Sequence, residues 1–406
     1  MKLKALALAV AAATVSTSAL SVEFNGYFRS GVGVTADGGN QIATNKNLVG
    51  RLGNETDLYG EWGLSQELFA KDQVKWKLNT MVALSADQAD GWESINGEEA
   101  DLAVVQFNVE AMGLLGGTET IWAGKRYYQR HDIHITDQYY WNISGPGIGI
   151  ENVQAGPGRL SAAWVKTSRK CAGGDCPAGL NEDEYLDVNV LDLRYAGIDL
   201  WNNASLELGI DYAITNPDED QKDNRDVTNK NGTMLTAVLT QGGLLNGFNK
   251  FVLQYGTEGY AKTMAFQGDG SWYGAEAKDG ADGWRFFNWG VISPSKSFDL
   301  GYTFGYSTGS DMWDGQNKDV ETWHAVLRPV YKYSDYGKVI AELGYANQKA
   351  DWLDNVDQTK VTIAHAWGMG KGFWARPEIR IFASYLDQDN WDDSEVTFGA
   401  QVEGWW

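Results

Sequence analysis

The sequence predicts an all-β membrane protein: a transmembrane antiparallel β-barrel of about 18 strands in a bacterial outer membrane. Three observations carry that prediction. Polar and apolar side chains alternate with a period of two in one segment after another, the signature of strands with one wet and one apolar face. Beyond the N-terminus, no run approaches the roughly 20 apolar residues that a spanning helix needs. The 406 residues also hold 18 Trp, 19 Tyr and 14 Phe under a mean hydropathy below zero. Many aromatics with a polar average suit a barrel, whose outer face needs aromatic girdles while its lumen is wet.

Residues 1–21 read as an export signal: Met1 to Lys4 is basic, Ala5 to Val15 is small and apolar, and Ala19-Leu20-Ser21 carries small residues where a signal peptidase cuts. The remainder, 22–406, reads as one domain, with no linker and no internal repeat beyond the hairpin spacing. In its first segment Glu23, Asn25, Tyr27 and Arg29 lie on one face and Val22, Phe24, Gly26 and Phe28 on the other. From Arg51, a face of Arg51, Glu55, Asp57, Tyr59 and Glu61 opposes Leu52, Leu58, Trp62 and Leu64. The last segment sets Thr397, Gln401, Glu403 and Trp405 against Val396, Phe398, Ala400, Val402 and Trp406, so the chain stops on an outward aromatic. Similar segments begin near Val74, Asp101, Thr118, Ile148, Gly158, Leu186, Ala204, Gly232, Gly247, Trp284, Phe298, Val320, Lys338, Lys360 and Trp374. Their spacing of roughly 20 residues fits a tilted spanning strand of about 9–11 residues plus a connection. The long polar connections, Ala36 to Val49, Asn216 to Asn231 and Gln267 to Gly283, are expected on the outer side. A secreted β-sandwich would also alternate, but with turn signals every 8–12 residues or so.

A formal charge of −21 argues against nucleic acid as a partner, because that binding depends on cationic groups releasing phosphate counterions. Enzymatic signals are weak: the chain lacks a Gly-x-Ser-x-Gly elbow, a P-loop and a dinucleotide fingerprint in the required context. His131 and His134, in Arg130-His-Asp-Ile-His134, could suggest a metal or acid–base site, yet no nearby Cys or further His completes a ligand set. They read as a loop whose charges pair with one another. Neither cofactor nor metal is expected. Cys171 and Cys176 are expected to form a small loop disulfide, since an exported chain meets an oxidising compartment.

The informative pattern is aromatics that share a face with charges: Tyr27 with Arg29, Tyr59 with Arg51 and Glu61, Phe248 with Lys250 and Gln254, Trp374 with Arg376, Glu378 and Arg380, and Trp405 with Glu403. Sugar rings offer an apolar C–H face for stacking and a rim of hydroxyls for hydrogen bonds, so this pairing suits an oligosaccharide.

At these residues the sequence resembles the maltoporin (LamB-type) sugar porins. The likeness runs from Val22-Glu-Phe-Asn-Gly-Tyr-Phe-Arg-Ser-Gly31 and Arg51-Leu-Gly-Asn-Glu-Thr-Asp-Leu-Tyr59 through Trp122-Ala-Gly-Lys-Arg-Tyr-Tyr-Gln-Arg-His-Asp132 and Tyr139-Tyr-Trp-Asn-Ile-Ser-Gly-Pro-Gly147. It continues through Gly247-Phe-Asn-Lys-Phe251 and Trp374-Ala-Arg-Pro-Glu-Ile-Arg380 to Phe398-Gly-Ala-Gln-Val-Glu-Gly-Trp-Trp406. The resemblance implies an 18-stranded barrel, a homotrimer in outer-membrane lipid, and a third loop folded inward to constrict each pore. It implies facilitated diffusion of maltose and malto-oligosaccharides along an aromatic slide of Tyr27, Tyr59, Trp92, Phe248, Trp374 and Trp405. In the family the loop bearing Trp92 reaches into the neighbouring subunit's pore. A polar track is implied at Arg29, Arg51, Glu61, Arg130, Asp132 and Asp137, with Tyr139 at the constriction. A periplasmic sugar-binding protein and a bacteriophage are further partners that the resemblance suggests. The pattern departs from the family where the segment from Gly91 to Glu110 holds no arginine; Glu98 or Glu99 stands nearest its place. The runner-up readings are a porin of the same family for another sugar and, outside channels, a barrel enzyme such as a lipase or protease.

Overall fold

The computed structural model describes residues 22–97, 99–167, 169–170, 185–223, 230–271, 280–312, 318–351 and 353–406. The export signal and the Cys171–Cys176 pair lie outside the described residues. The main sheet has 18 strands: β1 (Glu23–Thr35), β2 (Leu58–Lys71), β3 (Val74–Ala86), β4 (Ala100–Met112), β5 (Thr120–Arg126), β6 (Gly145–Ala155), β7 (Gly158–Lys166), β8 (Val188–Trp201), β9 (Ala204–Thr215), β10 (Gly232–Leu244), β11 (Gly247–Thr257), β12 (Asp282–Ser295), β13 (Phe298–Ser310), β14 (Val320–Lys332), β15 (Gly337–Ala350), β16 (Leu353–Gly368), β17 (Glu378–Gln388) and β18 (Glu395–Trp405). Each strand pairs antiparallel with its neighbours in the chain. β1 then closes the ring by pairing with β2 on one edge and β18 on the other, so the backbone presents no open edge to lipid.

Seven strands begin at the residue predicted: Val74, Gly158, Ala204, Gly232, Gly247, Phe298 and Val320. Three starts differ by more than three residues. Arg51 to Asp57 is not strand; positive φ at Gly50 (95°) and Gly53 (62°) breaks the extended run, and β2 begins at Leu58. β16 starts at Leu353, before the predicted Lys360, because the polar stretch ahead of Lys360 hides the alternation. Trp374 stands in the turn before β17, where Pro377 lacks the N–H that a ladder needs.

The parity of the strands divides inside from outside. Phe251, Leu253, Phe398 and Ile379 point outward and exposed, while Gln254, Thr397 and Arg380 on the same strands are buried toward the lumen. The apolar core is unusual in lying inside the ring. It gathers Ile133, Ile135, Tyr140 and Trp141 of the 127–144 connection against wall residues such as Val252 and Phe287. The 127–144 connection carries a hairpin of two short strands, His131–Ile133 and Gln138–Trp141, off the barrel sheet, and this is the expected inward loop.

Two further connections fold inward: one within the predicted outer loop Ala36 to Val49, the other just ahead of the predicted outer loop Gln267 to Gly283. The helix Lys46–Val49 buries Leu48 and Val49, and the helix Gly259–Ala265 buries Tyr260, Ala261, Met264 and Ala265. The main chain after the second helix is tied to the constriction loop, with Gly270 N–H donating to the Tyr139 carbonyl at 2.6 Å and Asn142 N–H to that of Gly270 at 3.0 Å. Arg285 on the wall donates to the Tyr140 carbonyl at 2.9 Å. These loops therefore satisfy their backbone against luminal side chains, which is what non-helical chain at membrane depth requires.

Outward parity makes a stability prediction. Leu253→Arg, midway along β11 on the exposed face, should cost about 2–4 kcal/mol of folding free energy, whereas an Arg at Val396, close to a strand end, should cost about 0–1 kcal/mol. Reversible denaturant titration in lipid vesicles measures both; equal costs would contradict the assigned lipid face.

Candidate functional site

Register brings the first luminal patch together. Tyr27 lies opposite Glu61 of β2 and Trp405 of β18, and Arg29 lies opposite Tyr59 and Glu403. Parity then turns all six side chains into the lumen. The Tyr27 and Tyr59 rings are 6.1 Å apart, and the Arg29 guanidinium lies 5.0 Å from the Tyr59 ring centre.

The irregular segment 51–57 supplies what a strand could not: several charges at one level of the pore. Arg51 donates to both oxygens of Glu55, at 3.1 and 3.0 Å, and to the Tyr27 hydroxyl at 2.6 Å. Arg29 forks onto Asp57 at 2.9 and 2.5 Å and lies 3.6 Å from Asp137. Asp137 itself is thrust forward by a left-handed φ of 53° at the end of the single turn His134–Thr136. Lys46, which periodicity could not single out, reaches Glu55 at 3.1 Å and Asp137 at 2.5 Å. Its signal was only its place at the start of a short helix.

The constriction loop faces this patch. Tyr59 and Tyr127 both donate to Glu61, at 2.6 and 2.8 Å. Arg130 lies between two aromatic faces, 3.5 Å from the centre of the Tyr127 ring and 4.7 Å from that of Tyr139. Such stacking restrains a long cation and leaves its N–H rim available. The two histidines meet carboxylates of different walls, Glu207 and Glu403, and not charges of their own loop. His131 stacks on Trp141 and lies 3.3 Å from Glu207; His134 packs between Trp374 at 5.3 Å and Trp405 at 5.6 Å.

Below the constriction the aromatic row continues through Trp405 and Trp374 to a cavity of about 490 Å³, whose walls include Phe248, Phe373 and Trp374. Phe248 meets Trp289 edge to face at 5.2 Å. Trp92 stands apart. It is 83% exposed, and among the described residues no ring stacks on it. Of the segment without arginine, Glu99 accepts from the Ser94 N–H and Glu98 lies outside the described residues.

Charge balance decides protonation here. Burial would raise the Glu55 carboxyl, but Arg51, Arg29 and Lys46 outweigh it and hold the group at about 2. Burial raises the Asp132 carboxyl from its ordinary value despite Arg130 nearby. Burial, with Arg51 and Arg376 adding to it, pushes His134 well below an ordinary histidine, so it is a neutral ring at pH 7. The Tyr139 hydroxyl is pushed up to about 12 by burial and stays a donor. The arrangement is an apolar aromatic lane beside fixed donors and acceptors, with no nucleophile–base pair in it.

A closed barrel whose lumen is wet, charged and narrowed by its own loops defines an outer-membrane porin, a channel. The LamB porin family model matches residues 22–406. A maltoporin of Hahella chejuensis is 42% identical over 413 residues, covering 100% of this chain and 98% of that one. A maltoporin of Vibrio cholerae is 42% identical over 434 residues, covering both chains fully. The fold is also that of Acinetobacter baumannii OccAB1, with a TM-score of 0.53 at 10% identity over 95% of this chain and 96% of that one. The chain belongs to the LamB porin family.

The protonation pattern has a measurable consequence. A carboxyl raised by burial loses its charge earlier as pH falls, whereas Glu55, depressed from 4.5 to about 2, contributes stability that is complete above pH 4.5 and lost only toward 2. Cation selectivity, read as reversal potential in a KCl gradient, should therefore begin to drop at a pH higher than an ordinary aspartate would give, while the 51–57 segment stays held. Asp132→Asn should remove that step; a step of unchanged position in the variant would assign it elsewhere.

Proposed function

We propose that this porin carries maltose and malto-oligosaccharides by facilitated diffusion, glucosyl rings stacking in turn on Trp92, Tyr59, Tyr27, Trp405, Trp374 and Phe248. The observation that supports this reading is a set of neighbouring luminal aromatics beside charges: Tyr59 near Tyr27, Trp405 opposite Tyr27, His134 between Trp405 and Trp374, and Trp374 with Phe248 around one cavity. Sugar hydroxyls would exchange hydrogen bonds among Arg29, Arg51, Glu61, Arg130, Asp132 and Asp137, with Tyr139 narrowing the passage, so no step strips all hydroxyls at once. Binding is weak and repeated, because a tight single site would stop conduction. Transport requires no catalytic step and no cofactor.

The working form is a homotrimer in outer-membrane lipid. The exposed Trp92, without a stacking partner among the described residues, suits a place in the adjacent subunit's pore. Export uses residues 1–21 and leaves 22–406 as one barrel domain, stiffened in an outer loop by a Cys171–Cys176 disulfide. A periplasmic sugar-binding protein would receive sugar at the short-turn end, and a bacteriophage would meet the long-loop end.

In planar bilayers, maltohexaose should block ion current through the pure protein at millimolar concentration or below, and more strongly than sucrose or chito-oligosaccharides do. Stacking is worth about 1–3 kcal/mol per ring at most, so Tyr59→Ala or Trp374→Ala should weaken block by roughly 5- to 150-fold with the pore still open. Unblocked current at millimolar maltohexaose would end this reading.

A further inference from the structure

Beneath the track lies a charged group that touches none of the proposed sugar-contacting side chains. Glu342 of β15 and Lys360 of β16 are fully buried, and Arg328 of β14 nearly so. Glu342 Oε1 accepts from Lys360 Nζ at 2.6 Å and from the Leu52 N–H at 2.8 Å. Its other oxygen accepts from Arg328 Nε at 2.5 Å. Arg328 Nη2 in turn donates to the Ile135 carbonyl at 3.1 Å, and that same carbonyl accepts the Arg51 N–H at 3.0 Å. On the next strand position Thr362 Oγ1 donates to the Leu52 carbonyl at 3.1 Å.

These ties reach main chain and not side chain. They therefore fix where two in-folded segments sit, whatever residues those segments carry. One segment bears Arg51 and Glu55; the other is the His134–Thr136 turn that ends in Asp137. The fit leaves no slack: a Cβ at Gly50 would collide with the Glu342 carboxylate, and one at Gly344 with the Val49 carbonyl. A carboxylate is required at the centre because two cations face it out of water, and removing it would leave both uncompensated in a low-dielectric setting.

We propose that Glu342, held between Arg328 and Lys360, is the positioning residue that sets the pore's aperture, by locking the 50–52 bend and the His134–Thr136 turn in one register. The aperture part stands on geometry alone; its effect on sugar rests on the channel function proposed above. The sheet closes around the lock: β14 pairs with β15 on both sides of Arg328–Pro329, and β15 pairs with β16 from Gly337 to Gln348.

The test uses the full-length protein reconstituted in planar bilayers. Arg328→Lys keeps the charge but loses the fork that reaches Ile135; Glu342→Gln keeps an acceptor for Leu52 but leaves the cations unpaired. Both should give a noisier open-channel current of altered conductance and roughly tenfold weaker maltohexaose block, the scale of one hydrogen bond to a charged group, while heat resistance of the barrel in detergent changes little for Arg328→Lys. If Glu342→Gln does not insert, Arg328→Lys and the uncharged Thr362→Val carry the measurement. Wild-type conductance, noise and block in Arg328→Lys and Thr362→Val would overturn the lock. Failure of maltohexaose to block the wild type would instead end the sugar reading and leave the conductance comparison intact.

Discussion

Closure of the sheet is the constraint on which the rest depends. In hydrocarbon an unpaired N–H or C=O costs several kcal/mol, so β1 must bond β18 as well as β2. That seam is also where function collects. Tyr27 and Arg29 on β1 face Trp405 and Glu403 on β18 and Glu61 and Tyr59 on β2, so the ring that closes the barrel assembles its luminal aromatic and charged patch in the same step. A one-residue slip of β1 at the seam would turn Tyr27 and Arg29 to lipid.

This is why so much was legible in the chain. A period of two is local information, and a closed sheet converts it into inside and outside. Tyr27, Tyr59, Phe248 and Trp405 stand on the luminal face that alternation predicts. Illegible were the features that depend on contacts distant in sequence. Arg51 reaches the pore from an irregular segment bent at Gly50 and Gly53, Trp374 from a turn, and Lys46 from a four-residue helix. Their side chains converge on the lumen because the segments are held by luminal groups such as Glu342, 290 residues away from the Leu52 N–H it accepts. The inward fold of 258–271 was hidden for the same reason: its partners Arg285, Ser307 and Tyr139 lie on other strands and another loop. A polar, Gly-rich stretch looks alike whether it faces solvent or a wet lumen.

The acidity that excluded nucleic acid says little about the pore, where charges are matched locally. Glu403 is buried against Arg51 at 3.2 Å, Arg376 at 2.9 Å and Arg380 at 2.8 Å, and Glu55 against Arg51, Arg29 and Lys46. Each of these two carboxylates has three cationic neighbours. A buried carboxylate with several cationic neighbours is rigid, because moving it would expose more than one unpaired charge.

Rigidity of this kind has a purpose in a passage that must not hold its cargo. Weak, repeated contacts give selectivity only if each is already in place, since a side chain that must be ordered by the ligand spends the contact on its own entropy. Arg130 pinned between Tyr127 and Tyr139, Arg29 forked onto Asp57, and Tyr59 and Tyr127 sharing Glu61 are all ordered before any solute arrives. Their partners are protein groups, so under the proposed function an arriving hydroxyl would exchange one hydrogen bond for another of similar strength and leave as easily as it came. The aromatic row supplies the complementary term, an apolar surface already wet and exposed, whose covering by a ring face is favourable wherever along the row it happens. In the function proposed above, the two together would make a path of nearly equal free energy along the lumen, which is the condition for selective passage without capture.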